Sequence, residues 1–319
     1  MNDKMRVGFI GLGMLGKPIS KRVLAAGYPL TVYDIRSEPE EELVKAGARK
    51  TTNPKEMAEV SDVVLTSLPS LEACEEIYFG AHGLLKGARK GLILVETSTV
   101  PPSMVKRYVN EADKLGVVVI DAPLMARTTF HPGLAKFKAD EIAAQGLVTV
   151  MVGGDKANVE KVRPVLATFG NPIFHVGPLG SGEIIKVFNN AVTHAYFAAA
   201  LEVLAVAAKA GVDLKNLEEI FRNTSAMSGP LNDALAYNLQ HGKGKLMNIG
   251  SAIKDSEAML ELAREHDVPV LIQSVNHAYY EMAMQKSGSK DGPGDGDLVK
   301  LFESYIRMPL RFETPAKPG

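Results

Sequence analysis

The sequence predicts an α/β domain of about 180 residues followed by an all-α domain. Three observations predict it. Short apolar runs alternate with helical patterns through the first half, which is the signature of βαβ units and a mostly parallel sheet. Strand signals then stop after Gly182, and only helical periodicity follows. The length of 319 residues fits about two domains, because single hydrophobic cores stop growing near ~250–300 residues.

In chain order, Arg6–Ile10 reads as a short strand and Met14–Ala26 as a helix closed by Gly27. Leu30–Tyr33 is strand again. Val63–Ser67 and Leu92–Glu96 are apolar runs, each followed by a proline-containing turn. Val117–Ile120, Val148–Val152 and Ile173–Val176 complete the series. Glu183–Ala210 then reads as one helix, roughly 42 Å long at ~1.5 Å per residue, ending at the C-cap glycine Gly211. Further helical patterns cover Leu214–Asn223, Pro230–Leu239, Ser251–His266 and Val270–Gln285. A Gly/Ser/Lys/Asp loop, Ser287–Gly296, precedes a last helix near Leu298–Ile306. The boundary falls near residue 180, giving domains 1–179 and 180–319 joined by the long helix.

Composition narrows the function classes. The chain is 46% apolar and 23% charged with a mean hydropathy near zero, as a globular protein is. With 36 basic and 37 acidic residues it carries no basic footprint for nucleic acid and no polybasic signal for a membrane. Met1–Arg6 runs directly into a strand, without the apolar stretch of a signal peptide. The most apolar later stretch, Ala195–Ala210, includes Glu202 and Lys209 and is shorter than the roughly 20 residues of a membrane span. It reads as a buried core helix, and a cytoplasmic location is the expectation. The single cysteine, Cys74, excludes an intrachain disulfide and a cysteine metal cage. The seven histidines share no metal-ligand spacing, so no metal site is expected, and His194 reads as a core histidine.

Gly11-Leu12-Gly13-Met14-Leu15-Gly16 matches G-x-G-x-x-G, and its setting gives the match weight. An apolar strand ends at it, a helix begins in it, and the next strand ends in Asp34, 23 residues after Gly11. That is the arrangement of a Rossmann dinucleotide-binding domain. Gly11 permits the tight turn, Gly13 lets the backbone approach a pyrophosphate, and Gly16 lets helix and strand pack closely. The helix N-terminus offers N–H groups and a partial positive charge to the phosphates. Asp34 suits both ribose hydroxyls and repels a 2′-phosphate, which favours NAD. Arg36 either binds that phosphate, making NADP possible, or is a solvated side chain.

Four further motifs accompany this loop in order. The opening Gly8-Phe-Ile-Gly-Leu-Gly-Met-Leu-Gly16-Lys-Pro, the turns Ser67-Leu68-Pro69 and Glu96-Thr-Ser-Thr99, the segment Gly177-Pro-Leu-Gly-Ser-Gly182-Glu-Ile-Ile-Lys186-Val-Phe-Asn189-Asn190, and Ile253-Lys254-Asp255 resemble the motifs of the β-hydroxyacid dehydrogenases. That family includes 3-hydroxyisobutyrate dehydrogenase, and the resemblance runs from Val7 to about Pro309. It implies a hydride-transferring enzyme that interconverts a small β-hydroxy acid and its semialdehyde or keto form, using NAD or NADP. Leu68, Pro69 and Thr99 would flank the cofactor, and Lys254 would reach the nicotinamide side.

The residues of the central motif fit this implication. Lys186 and Asn190 are four apart, so on a helix they project from one face about one turn from each other. Taken alone, such a lysine reads as an exposed helix residue. A lysine buried near the domain junction has its charged form disfavoured, which suits it to exchange a proton near neutral pH. The resemblance makes Lys186 the general acid and base, with Asn190 and Asn189 as substrate contacts.

The chain departs from the family pattern after the strand near residue 120. Most members have Asp-x-Pro-Val-Ser-Gly-Gly there, whereas this chain has Asp121-Ala-Pro-Leu-Met125-Ala126-Arg127-Thr128. A subset resembling sulfolactaldehyde reductase has Gly-Arg-Thr at this point. Arginine offers a charged, bidentate grip on an oxyanion. Arg127, with Thr128, is therefore read as the anchor of a small anionic hydroxy acid or semialdehyde. A sulfonated or longer-chain semialdehyde is the alternative substrate. An imine reductase and a non-catalytic dinucleotide binder are weaker rivals, because Lys186 is retained. About a dozen extra residues fall between Thr128 and Ala143, either a lid or interface element or a tolerated surface loop. The long helix and the helical second half imply a homo-oligomer, dimer or tetramer.

Overall fold

The computed structural model describes residues 4–126, 139–228, 231, 249–287 and 296–310. The chain divides into two compact units, 1–186 and 187–319.

In the first unit the elements are β1 (Val7–Ile10), α1 (Gly16–Ala25), β2 (Leu30–Tyr33), α2 (Ser37–Lys45), β3 (Arg49–Lys50), α3 (Pro54–Val60), β4 (Val63–Thr66), α4 (Leu71–Phe79) and α5 (Leu84–Gly87). They continue as β5 (Ile93–Glu96), α6 (Pro102–Asp113), β6 (Val118–Asp121), β7 (Leu124–Ala126), α7 (Ala139–Ala144), β8 (Val148–Gly153), α8 (Lys156–Leu166) and β9 (Gly170–Gly177). The sheet runs β3-β2-β1-β4-β5-β6-β8-β7, with β9 paired in parallel to β8. From β3 to β6 every pairing is parallel, in register Val7↔Leu30, Val7↔Val63, Val63↔Ile93 and Ile93↔Val118. Strand β8 pairs antiparallel with β6 and β7, so β8 and β9 run against the other described strands.

The central strands are continuous apolar runs because both faces of the sheet are covered. Alternate residues feed separate cores. Phe9, Leu65 and Val95 pack on one face with Ile19 and Val23 of α1. Ile10, Val64 and Leu94 pack on the other with Tyr78 of α4 and Tyr108 of α6. Helix starts are set by side-chain caps: Asn53 accepts from the Glu56 N–H, Ser70 from Ala73 and Asp155 from Asn158.

Helix α9 (Ser181–Lys209) spans the division between the units, and α10 (Leu214–Arg222) follows it. Its most apolar 18 residues have a mean hydropathy of 1.6, so by length and composition it could cross a membrane, and Ala195–Ala210 understates its extent. In the second unit Phe197, Leu201, Leu204, Ala205 and Ala208 line one side of α9 at helical spacing and pack on Leu214, Tyr280, Leu298 and Phe302. Helices Ile249–Glu265, Leu271–Ser287 and Gly296–Ile306 complete the described part of this unit. The helix expected at Pro230–Leu239 lies outside the described residues apart from Leu231.

Candidate active site

The strand order reverses at β1, whose neighbours are β2 on one side and β4 on the other. In open α/β sheets that reversal opens a crevice at the carboxyl ends of the strands. The glycine turn occupies it. Gly11 has φ +90°, and a Cβ there would sit 2.2 Å from the Ser67 carbonyl oxygen. A Cβ on Gly16 would sit 1.9 Å from the Gly11 carbonyl oxygen and 3.0 Å from the Phe9 ring. Both glycines are therefore demanded by the chain's own packing. Gly13 is not: among the described residues, its chain neighbours apart, no atom lies within 4 Å of where its Cβ would be. Together with the start of α1, which no side chain among the described residues caps, that uncovered backbone fits a pyrophosphate brought against the helix N-terminus.

Asp34 follows β2 and faces the same turn. Its Oδ2 accepts the Leu12 N–H at 2.6 Å, and its Oδ1 accepts the Arg36 N–H at 2.9 Å and Arg36 Nε at 3.0 Å. The Asp34 side chain is 6% exposed and that of Arg36 61%. Burial by itself would raise the Asp34 carboxyl, but the hydrogen bonds from Arg36 and Leu12 outweigh it and hold the carboxyl below its ordinary range.

Next to β1, the turns after β4 and β5 are bonded to each other. The Leu68 N–H donates to Ser98 Oγ at 2.7 Å, and the Ser98 N–H donates to Glu96 Oε1 at 2.8 Å. Glu96 is fully buried, and burial pushes its carboxyl up despite the opposing hydrogen bonds from Ser98. The structure thus brings the glycine turn, Asp34, Arg36, Leu68, Pro69 and Thr99 to the carboxyl ends of β1, β2, β4 and β5.

The start of α9 is held by a buried acid. Asp121, the last residue of β6, accepts the Gly180 N–H on Oδ1 at 2.7 Å and the Glu183 N–H on Oδ2 at 2.9 Å. Burial pushes its carboxyl up, against the pull of those backbone bonds. Gly153 and Gly182 leave room for it, since Cβ atoms there would sit 2.3 Å and 2.7 Å from its oxygens. One turn into the helix, Lys186 is 9% exposed, and its ammonium donates to the Leu124 carbonyl at 3.0 Å. Leu124 opens β7, and that strand leads directly into Arg127 and Thr128, which lie outside the described residues.

In the second unit, Asn190 Nδ2 donates to Asp255 Oδ2 at 2.7 Å, and Lys254 Nζ lies 3.6 Å from Asp255 Oδ1. Asn189 is exposed and donates to Asn190 Oδ1 at 3.2 Å. His194 is buried with its ring 5.6 Å from that of Tyr280, as a core histidine would be. The end of the extra segment, Ala139–Ala144, is helix α7. Its Ile142 and Ala143 are buried, and Arg22 donates to the Ala144 carbonyl at 3.0 Å. That end is a packed element of the domain, while 128–138 lie outside the described residues.

Sequence reasoning missed Ser98, Glu183 and the capping role of Asp121. An acid closing a strand beside Gly153-Gly154 was the available signal for Asp121. Nothing local marked Glu183, whose partner is 83 residues away.

The chain matches two family models. Residues 6–177 match the NAD-binding domain of 6-phosphogluconate dehydrogenase, and residues 180–301 match the NAD-binding model of NADP-dependent 3-hydroxyisobutyrate dehydrogenase. It is 31% identical to the mitochondrial 3-hydroxyisobutyrate dehydrogenase of Rattus norvegicus, over 96% of this chain and 88% of the relative. It is 29% identical to the 2-(hydroxymethyl)glutarate dehydrogenase of Eubacterium barkeri, over 97% of each. In fold it is similar to the crystal structure of a 3-hydroxyisobutyrate dehydrogenase from Salmonella typhimurium, with a TM-score of 0.80 at 21% identity, covering 93% of this chain and all of that one.

Proposed function

The chain belongs to the β-hydroxyacid dehydrogenase family, an NAD(P)-dependent group of oxidoreductases, and we propose that Lys186 moves the proton in its reaction. The substrate is a small β-hydroxy acid interconverted with its semialdehyde or keto acid. The observation that carries this reading is the seat of Lys186: a buried ammonium on the capped first turns of α9, held at the Leu124 carbonyl, one turn before Asn190. When bound, the nicotinamide accepts or returns the hydride. Removing a hydride from a carbinol carbon leaves one hydroxyl proton, which the neutral Lys186 amine takes up as the carbonyl forms. In the reverse direction the ammonium returns that proton to the oxygen. Asp255 fixes the Asn190 amide, and Asn190 and Asn189 hold the substrate.

The glycine turn, Asp34, Leu68, Pro69, Thr99 and Lys254 bind the cofactor. The carboxylate of Asp34 at the turn favours NAD over NADP, with the exposed Arg36 guanidinium already paired to it. Arg127 and Thr128 hold the substrate's anion. The charged, bidentate guanidinium of Arg127 supports a second substrate reading, a sulfonated or longer-chain semialdehyde. An apolar stripe on α9 supports a homo-oligomer, and the lone buried Cys74 fits a reducing, cytoplasmic setting.

The test follows NADH absorbance over a panel of β-hydroxy acids, sulfonates and semialdehydes, with NAD and NADP in parallel. The expected result is turnover of at least one carboxylate or sulfonate substrate, faster with NAD. NADH binding without turnover of any panel member contradicts the catalytic reading and favours a non-catalytic dinucleotide binder.

A further inference from the structure

We propose that Glu183 is a positioning residue whose buried carboxyl ties the cofactor-side turn after β5 to the first turn of the helix that bears Lys186. Glu183 is fully buried in the first unit, and its Oε2 accepts the Val100 N–H at 3.1 Å. Val100 is the residue after Thr99 and is followed by Pro101 and Pro102, which have no N–H. Its amide is therefore the last backbone donor before α6 continues, and Glu183 captures it. At the other end, the Glu183 backbone N–H is held by Asp121 at 2.9 Å. Lys186 lies three residues further along the same helix, on the neighbouring turn.

A carboxyl buried for packing alone is a poor choice, because removing it from water costs more than an apolar side chain of the same size would. Its position supplies the reason. The turn after β4 is already bonded to the turn after β5, Leu68 N–H to Ser98 Oγ at 2.7 Å. Glu183 extends that set of bonds to α9. The side chains proposed to flank the cofactor and the lysine proposed to move the proton then share one frame, which keeps the reacting groups in register. This inference rests on the roles proposed above for Thr99 and Lys186.

Two variants of similar size separate the tie from mere packing. Glu183→Met removes the acceptor, whereas Glu183→Gln keeps an oxygen that can accept from Val100. For the Met variant of the full chain, we expect NADH to bind at least tenfold more weakly and kcat to fall at least tenfold. KM for the hydroxy acid stays within threefold, and the Gln variant stays within threefold of wild type throughout. A Met variant that melts at a lower temperature yet binds NADH with wild-type affinity overturns the proposal, as does a Gln variant as impaired as Met. Should the Met variant fail to fold, amide exchange in the wild-type chain decides. A Val100 amide as protected as those of β5 supports the tie, and one that exchanges like an open turn overturns it. Because NADH binding needs no proton transfer, these results stand even if Lys186→Ala shows the catalytic reading to be wrong.

Discussion

The three glycines of the first turn answer to different constraints, and a single methyl group tells them apart. At Gly16 a Cβ would lie 1.9 Å from the Gly11 carbonyl, so Gly16→Ala forces apart β1 and α1 and should lower stability by about 1–3 kcal/mol. At Gly13 a Cβ would meet no atom of the described residues beyond its chain neighbours. Gly13→Ala should therefore leave the melt of the apoprotein unchanged and weaken NADH binding at least tenfold. Thermal melts beside an NADH titration check both. The sequence made these positions legible through their spacing between a strand and a helix, although the Ser67 carbonyl that demands Gly11 comes from the turn after β4. Asp34 carries a pH signature of its own. Its carboxyl is held low in the folded chain, so the unfolded chain binds the proton more tightly. The stability it contributes is complete above the ordinary aspartate value of about 3.9 and is lost as pH falls through the lower folded value. Denaturant titrations should find Asp34→Asn less stable than wild type at neutral pH, with the gap closing as the solution becomes more acidic. A gap that widens in acid contradicts the assignment.

Two roles are proposed for helix α9, on two of its sides. One side carries Lys186 and Asn190, and its beginning is capped by Asp121. Another carries Ile185, Phe188, Val192, Tyr196, Val203 and Val206, apolar residues at three-, four- and seven-residue spacing that are all at least a third exposed. A stripe of that kind supports the proposed association surface. Sedimentation should show the wild-type chain as a dimer or larger, and Val203→Asp combined with Val206→Asp should shift it toward monomer. A wild-type monomer, or an assembly untouched by both charges, contradicts the homo-oligomer. The helix itself was readable from its periodicity almost to the residue. Its cap was not, because Asp121 and Gly180 are 59 residues apart in sequence and meet only when the sheet forms. The brief strands β3 and β7, of two and three residues, were also invisible to periodicity, which needs a longer run to register. Helix α7 was read as part of an insertion, because its six residues give no pattern apart from their packing against the domain.

At the scale of the molecule, an α/β unit and a helical unit share one helix, and the proposed chemistry sits where that helix begins. The mostly parallel sheet and the change to helices in the second part were anticipated by where apolar runs and glycines fall, whereas the strand order and its reversal at β1 were not. The residue proposed to move the proton was a different matter. Lys186 has no local feature that separates it from an ordinary helix lysine; its burial, its Leu124 contact and its capped turn are tertiary facts. The most direct test of the account is therefore turnover by Lys186→Ala on the best substrate of the panel, measured beside its NADH affinity. The account predicts a fall in kcat of roughly a hundredfold to ten-thousandfold, the usual range for a general acid or base, with NADH affinity kept within threefold. Wild-type turnover by Lys186→Ala would contradict it.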